Sequence, residues 1–300
     1  MSFVIALTLD QALAAVAAGA RPIAGGTDLV VGARHGKAAL PADLVAIDRI
    51  EILREVAVTD GGLSLGAAVS HHTIEGHPEI TSAWSALADG SALVGSPATR
   101  HVGTIGGNIM NASPAMDTGA GLVVLAAEVE LASSTGRRLL PIGQLWSGPG
   151  RTAAAADELC IAVHVPRPPA NSGSAYLRLE YRRTMEIAVV GAAACVTLAA
   201  DGSVSAVRVA LSAAAPTIIE VTGLPLGSVE DVAAAAQAAA SDQARPISDV
   251  RASDRYRRHT VGVMARRAVE TAARRAAGER IAIPANRSLT MSTPRSGAAS

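Results

Sequence analysis

The pattern of apolar and polar positions changes character along the chain, and each change marks a different kind of element. Phe3 to Leu7 is a short apolar run that predicts a strand. Thr8-Leu9-Asp10-Gln11 has the spacing of a capping box, and Gly19 is placed to end the helix that follows. Pro22-Ile23-Ala24 then reads as a buried strand running into Gly25-Gly26, and Leu44 to Ile47 as another. This alternation predicts a small α/β unit with parallel strands over residues 1–54.

From about Ile52 the period shortens. Glu55 to Val58, the turn Thr59-Asp60-Gly61-Gly62, and Leu63 to Val69 predict a β-hairpin. Val129 to Ser133 and Arg138 to Ile142, joined by Ser134-Thr135-Gly136, predict a second. Between them lie a helical stretch around Ile80 to Asp89 and a Gly-rich region from Gly95 to Gly121. Residues 55–173 thus read as a mainly antiparallel unit, closed by the linker-like run Val165 to Gly173. Beyond it, Ala193 to Leu198 and Val204 to Leu211 flank an Asp201-Gly202 turn, and Val207, Val209 and Leu211 alternate as in a half-buried strand. An Ala-rich helix near Val229 to Ala240 follows. A second helix carries Val261, Met264, Ala265, Ala268, Val269 and Ala272 on one stripe. These form a third unit over 174–287, and the small, polar segment 288–300 is expected to be disordered.

Composition narrows the function. Acidic and basic residues balance at 26 each, which lacks the basic excess of a nucleic-acid or membrane-surface protein. The apolar start, Met1 to Ala20, has no basic residue before Arg21 and is broken by Asp10 and Gln11, so it reads as mature structure. Ile187 to Ala200 is too short to span a bilayer. The expectation is a cytoplasmic protein. Cys160 and Cys195 sit in apolar runs and read as buried thiols, and two cysteines fall short of the usual four cluster ligands.

Two Gly-rich turns are the candidate chemistry: Ala24-Gly25-Gly26-Thr27-Asp28-Leu29 and Gly103-Thr104-Ile105-Gly106-Gly107-Asn108. Glycines let a backbone approach a pyrophosphate and aim successive N–H groups at it, and a nearby Thr hydroxyl can add a donor. Plain turn geometry explains either one alone; together they could grip one diphosphate from two domains. Neither is a Rossmann G-x-G-x-x-G, and Gly36-Lys37 lacks the remainder of a phosphate-binding P-loop.

The pair AGGTDL and TIGGN, with the run N-I-M-N-A-S-P-A-M-D after the second, resembles the FAD-binding medium subunit of the molybdenum hydroxylases, the xanthine dehydrogenase and carbon monoxide dehydrogenase family. The resemblance runs from about residue 20 to residue 275 and includes Leu159 to Pro166, Tyr176 to Ala188, and Ile247 to Ser253 with Tyr256-Arg257-Arg258. It implies an α+β chain with a PCMH-type FAD-binding fold, in which a small α/β domain and an antiparallel β domain precede a C-terminal domain of a three-stranded sheet and helices. It implies FAD extended between the first two domains, with Ala24, Gly25, Gly26, Thr27, Asp28, Leu29, Thr104, Ile105, Gly106, Gly107 and Asn108 around the pyrophosphate and ribityl region. Asp117 matches a carboxylate used on the cofactor, with capping of the next helix as its lesser alternative. Arg178 stands where the family often has Lys, beside the flavin, where a positive charge favours the reduced anion. Cys160 aligns with a backbone contact.

The resemblance further implies partners: a large subunit holding molybdopterin and a small subunit holding two-iron–two-sulfur clusters, assembled as a dimer of heterotrimers. This chain would accept electrons from the iron–sulfur subunit and pass them to an external acceptor. The alternative is a self-sufficient flavin oxidase or reductase, which would need a positioned acid near the flavin. Other singles have plainer readings. His71, His72 and His77 lack metal-site spacing and read as a solvent-facing loop. His101 is the one histidine near a Gly-rich turn and the candidate for a covalent flavin link. Arg257, Arg258, Arg266, Arg267, Arg274 and Arg275 form a solvated or subunit-facing surface, with Glu270 and Arg274 spaced to pair. Tyr176 or Tyr181 is the candidate to stack on the flavin. Nothing in the order suggests an activated nucleophile or a catalytic carboxylate pair.

Overall fold

A computed structural model describes residues 2–36 and 38–288. Lys37 and the tail beyond Ser288, including nearly all of the segment expected to be disordered, lie outside the described residues.

The first body contains β1 (Ser2–Ile5), α1 (Leu9–Ala17), β2 (Arg21–Ile23), α2 (Leu29–Arg34) and β3 (Asp43–Ala46). Its strands lie in the order β1-β3-β2 and both pairings are parallel, as the alternation predicts. Thr8 caps α1 by accepting the Gln11 N–H, and Gln11 Oε1 accepts the Leu7 N–H at 2.8 Å.

The second body begins with β4 (Val56–Thr59) and β5 (Gly62–Gly66). Six short helices follow: α3 (His71–Gly76), α4 (Pro78–Ala83), α5 (Ser85–Leu93), α6 (Pro97–Val102), α7 (Ile105–Met110) and α8 (Asp117–Val124). The chain returns through β6 (Glu128–Ser133), β7 (Gly136–Pro141), a small pair β8 (Trp146–Gly148) and β9 (Arg151–Thr152), and β10 (Leu159–Pro166). The main sheet is wholly antiparallel, in the order β4-β5-β10-β6-β7. The Gly-rich region is therefore helical, which its low helix propensity did not announce. The single helix expected around Ile80 to Asp89 is broken at Trp84, whose backbone leaves the helical region. Trp84 is fully buried and donates its indole N–H to the Pro166 carbonyl at 2.9 Å, so packing overrides helix continuity there.

β10 shows how the bodies join. Its side chains alternate, with Cys160, Val163 and Val165 in the core shared with the helices and Leu159 and Ile161 in the core shared with Leu13 and Val16 of α1. The first body thus covers part of one sheet face, and the helices cover the other.

The third body contains β11 (Ser172–Leu179), β12 (Val190–Leu198), β13 (Val204–Ser212) and β14 (Ile219–Val221). It ends with α9 (Val229–Gln243), α10 (Asp254–Ala276) and α11 (Ala285–Ser288). The three long strands are those expected, and the three-residue β14 adds to the edge beside β13. The stripe on α10 is buried against α9 and the sheet through Val261, Ala265, Ala268 and Ala272. The expected Glu270–Arg274 pair does not form. Glu270 meets Arg266 at 2.8 Å and Arg274 meets Glu279, the other side of each residue offering the nearer partner. Arg257 is buried rather than part of a solvated face.

Candidate functional site

The two Gly-rich turns meet. Residues 24–28 connect β2 to α2, and residues 103–104 connect α6 to α7. A methyl group added at Gly25 would lie 1.9 Å from the Val102 carbonyl oxygen and 3.1 Å from the Gly103 nitrogen. One added at Gly103 would lie 3.5 Å from both Thr27 Oγ1 and His71 Cδ2. Gly25 is required because the backbones touch. Gly26 is required for another reason, a φ of +67°.

Their hydrogen bonding differs sharply. In the second turn, Ile105 N–H donates to the Val69 carbonyl and Gly106 N–H to the Ala67 carbonyl, both at 2.9 Å. Gly107 N–H donates to Thr104 Oγ1 at 3.1 Å and Asn108 N–H to the Thr104 carbonyl at 3.0 Å. Thr104 is the helix cap, which frees its own hydroxyl proton to donate elsewhere. Gly106 is fixed by packing, since a methyl group there would lie 2.6 Å from Ala67 Cβ. In the first turn, none of the backbone N–H groups of Gly25, Gly26, Thr27 and Asp28 has an acceptor among the described residues. Asp28 is exposed and its side chain caps nothing, while Leu29 opens α2. A run of unpaired donors in a half-buried turn is an arrangement that accepts an anion.

Behind the turns lies a buried ionic cluster that sequence reasoning saw only in part. Asn108 accepts the Thr118 hydroxyl proton at 2.6 Å, tying the second turn to α8. The next residue back, Asp117, opens α8 without capping it. Its Oδ2 accepts Arg178 Nη1 at 2.6 Å and its Oδ1 accepts the Tyr176 hydroxyl at 2.9 Å. Arg178, 3% exposed, also donates to Glu180 at 2.8 Å. Its backbone N–H goes to Asn286 Oδ1 at 2.9 Å. Burial raises the Asp117 pKa and Arg178 opposes it. Burial works to lower the Arg178 pKa, but Asp117, Tyr176 and Glu180 outweigh it and hold the guanidinium charged. Two carboxylates thus face one guanidinium. Arg178 is a brace between α8 and β11 rather than a free cation.

A parallel tie uses Asp89, a lone acid inside the apolar helix α5. It receives Arg275 at 2.6 and 3.1 Å, the Ala285 N–H at 2.8 Å and the Tyr176 N–H at 3.1 Å. An isolated Asp in the run Ser85–Leu93 was the available clue, but its partner stands far along the chain. Tyr176 is fully buried, with its hydroxyl also 3.1 Å from Ser212, so its ring stays in the core. Tyr181 is exposed and donates its hydroxyl to the Arg251 carbonyl.

The histidines separate. His71 is buried, not solvent-facing, with Nδ1 3.5 Å from Ser91 Oγ, and burial together with nearby Arg100 pushes its pKa down to about 4. His72 and His101 stack at 3.8 Å, and His101 Nδ1 donates to the Pro97 carbonyl at 2.8 Å. Among the described residues no cluster of His, Cys, Asp or Glu could hold a metal ion. The Cys160 thiol is buried and pushed up to about 12 by burial and Glu130, so it is inert. Its neighbour's carbonyl, Ile161, accepts the Ala67 N–H beside Gly106.

Comparison with known proteins gives the family. Residues 1–168 match the FAD-binding domain of molybdopterin dehydrogenases, and residues 175–272 match the CO dehydrogenase flavoprotein C-terminal domain. The carbon monoxide dehydrogenase medium chain of Afipia carboxidovorans is 33% identical over 261 residues, 86% of this chain and 90% of that one. Subunit alpha of the 6-hydroxypseudooxynicotine dehydrogenase complex of Paenarthrobacter nicotinovorans is 30% identical over 283 residues, 91% of this chain and 95% of that one. A solved carbon monoxide dehydrogenase from Hydrogenophaga pseudoflava superposes with a TM-score of 0.87 at 26% identity, covering 92% of this chain and 98% of its own. The chain belongs to the family of FAD-binding subunits of the molybdopterin dehydrogenases.

Proposed function

We propose that this chain is the electron-relay subunit of a molybdenum hydroxylase and that it holds FAD chiefly through the first Gly-rich turn. The observation that carries the reading is the set of unpaired N–H groups from Gly25 to Asp28, seated against the backbone at Val102 and Gly103. The residues present fit the group. The turn supplies donors for a diphosphate, and the Thr27 and Thr104 hydroxyls and the Asn108 amide can add to them. Leu29 and Ala24 anchor the ends of the first turn, and Ile105, Gly106 and Gly107 build the second. Bound FAD supplies one- and two-electron exchange. The chain's own residues bind, orient and exclude water. Asp117 and Arg178 lock α8 to β11 behind the site, and Cys160 contributes backbone alone.

The partners in this reading are a molybdopterin-bearing large subunit and a small subunit with two-iron–two-sulfur clusters, in a cytoplasmic dimer of heterotrimers. Among the described residues no helix is long and apolar enough to cross a membrane, which is compatible with that assembly. The test is to purify the chain with its co-expressed partners, weigh each chain and quantify released flavin. One FAD per chain in a three-chain complex is expected. A fully assembled complex whose flavin content is nil would overturn the reading, and flavin with activity on the lone chain would favour a self-sufficient oxidoreductase.

A further inference from the structure

One edge of the third sheet is closed by side chains in place of a strand. β11 lies outermost in the order β11-β12-β13-β14, and its N–H groups at Tyr176 and Arg178 point away from β12. Asp89 of α5 accepts the first at 3.1 Å, and Asn286 Oδ1 accepts the second at 2.9 Å. On the same edge the Ser174 carbonyl accepts Ser85 Oγ and Arg275 Nη1, both at 2.7 Å. An edge covered in this way presents no row of free donors to another strand.

Asn286 belongs to a strap, residues 281–286, that follows α10 and lies past residue 272, where the second domain match ends. The strap is fastened along its length. Its Ile281 carbonyl accepts Arg275 Nη2 at 3.3 Å, and Ile283 packs on the core of the second body. The buried Ala285 donates its N–H to Asp89 at 2.8 Å. Asn286 Nδ2 lies 3.4 Å from Glu180, the carboxylate that pairs with Arg178. One half-buried amide therefore meets both the backbone of Arg178 and the partner of its side chain. Arg178 is itself buried, so removing the Asn286 acceptor would leave a buried N–H unpaired.

The consequence reaches the Gly-rich turns. Arg178 Nη1 donates to Asp117 Oδ2, and the hydroxyl of the next residue, Thr118, donates to Asn108 of the second turn, each at 2.6 Å. The second turn is the surface against which Gly25 is seated. Both links are short, and α8 between them is buried throughout, so a displaced Arg178 backbone carries the start of α8 with it. We infer that Asn286 is a positioning residue for the cofactor site: from a strap outside both matched domains it fixes the Arg178 backbone and, through Asp117 and Thr118, the seat of the first Gly-rich turn. Its effect on flavin rests on the proposed relay function. Its effect on α8 and the second turn does not.

The test uses the full chain co-expressed with its partners, carrying Asn286→Leu, Asn286→Gln, Thr118→Val, or Asn286→Leu together with Thr118→Val. Leucine keeps a branched side chain and removes the hydrogen bonds. If Asn286→Leu fails to fold, Asn286→Ala replaces it. Hydrogen exchange over residues 105–118 and the rate of flavin release are read well below each melting temperature. Asn286→Leu should speed both about tenfold, the scale of one hydrogen bond lost at a buried group. Asn286→Gln, which keeps the amide, should recover part of the loss. Substitutions at independent sites multiply their effects on a rate. Here the double variant should release flavin no faster than the faster single variant, because both residues lie on one path. Multiplied effects would make the strap a local clamp and overturn the inference. So would wild-type exchange and flavin release in Asn286→Leu. A wild-type complex without flavin would contradict the relay reading, and exchange over 105–118 would still decide the inference.

Discussion

The two Gly-rich turns look alike in sequence and do different work. The turn at 103–108 is consumed by the fold: its N–H groups from Ile105 to Asn108 are bonded within the chain, and Gly106 is required by contact with Ala67. The turn at 24–28 keeps its donors free and is steadied by leaning on the other. Glycine content alone therefore does not mark a binding turn. The accounting of backbone donors does. The division implies that damage to the second turn should appear as lost stability, and damage to the first as lost cofactor.

The largest effect is expected behind both turns. Arg178→Met would leave Asp117 and Glu180 buried without their cation, a loss of about 3–5 kcal/mol in unfolding free energy by denaturant titration. Arg178→Lys should recover part of it. Gly106→Val should cost about 1–3 kcal/mol through overpacking against Ala67, again measured by denaturant titration. If it instead removed flavin from a fully stable chain, the second turn would be a binding element and the contrast would fail.

Acid should loosen the contact between the turns. His71 packs beside Gly103 and its folded-state pKa of about 4 lies below the usual 6.5. A depressed histidine pKa favours the folded state fully above the unfolded value. That contribution is lost as pH falls from about 6.5 to about 4. The limit is about 3 kcal/mol for this shift. Stability measured across that window should fall in the wild type and fall less in His71→Gln. The smallest effects should separate the two threonines. Thr104→Val removes a helix cap as well as a hydroxyl donor, so it should cost about 1 kcal/mol of stability along with some flavin retention. Thr27→Val should leave stability unchanged and weaken flavin retention, read by dialysis.

The fold was legible where local chemistry and tertiary packing agree. The Thr8 cap, the hairpin turns at Gly61-Gly62 and Thr135-Gly136, and the alternating strand at Val207 to Leu211 all declare themselves. The helices between Gly95 and Gly121 did not, because their propensity is poor and burial holds them. The break at Trp84 was invisible because its cause, the Pro166 carbonyl, lies far along the chain. The same holds for the site. The glycines and Asp117 could be picked out from motifs. That Asp117 pairs with Arg178 and Tyr176 and that Asp89 pairs with Arg275 depends on contacts across bodies, and the burial of His71 depends on helices packed beside its own. Arg178 is the most instructive case: its charge was expected to act on the flavin, and two carboxylates already satisfy it.

The most direct test is hydrogen exchange, comparing the assembled complex with and without its flavin. The account predicts that added protection on flavin binding is concentrated in residues 24–29, where donors are free, and that 104–108 changes little because its N–H groups are already bonded. Protection gained at 104–108 with none at 24–29 would contradict it.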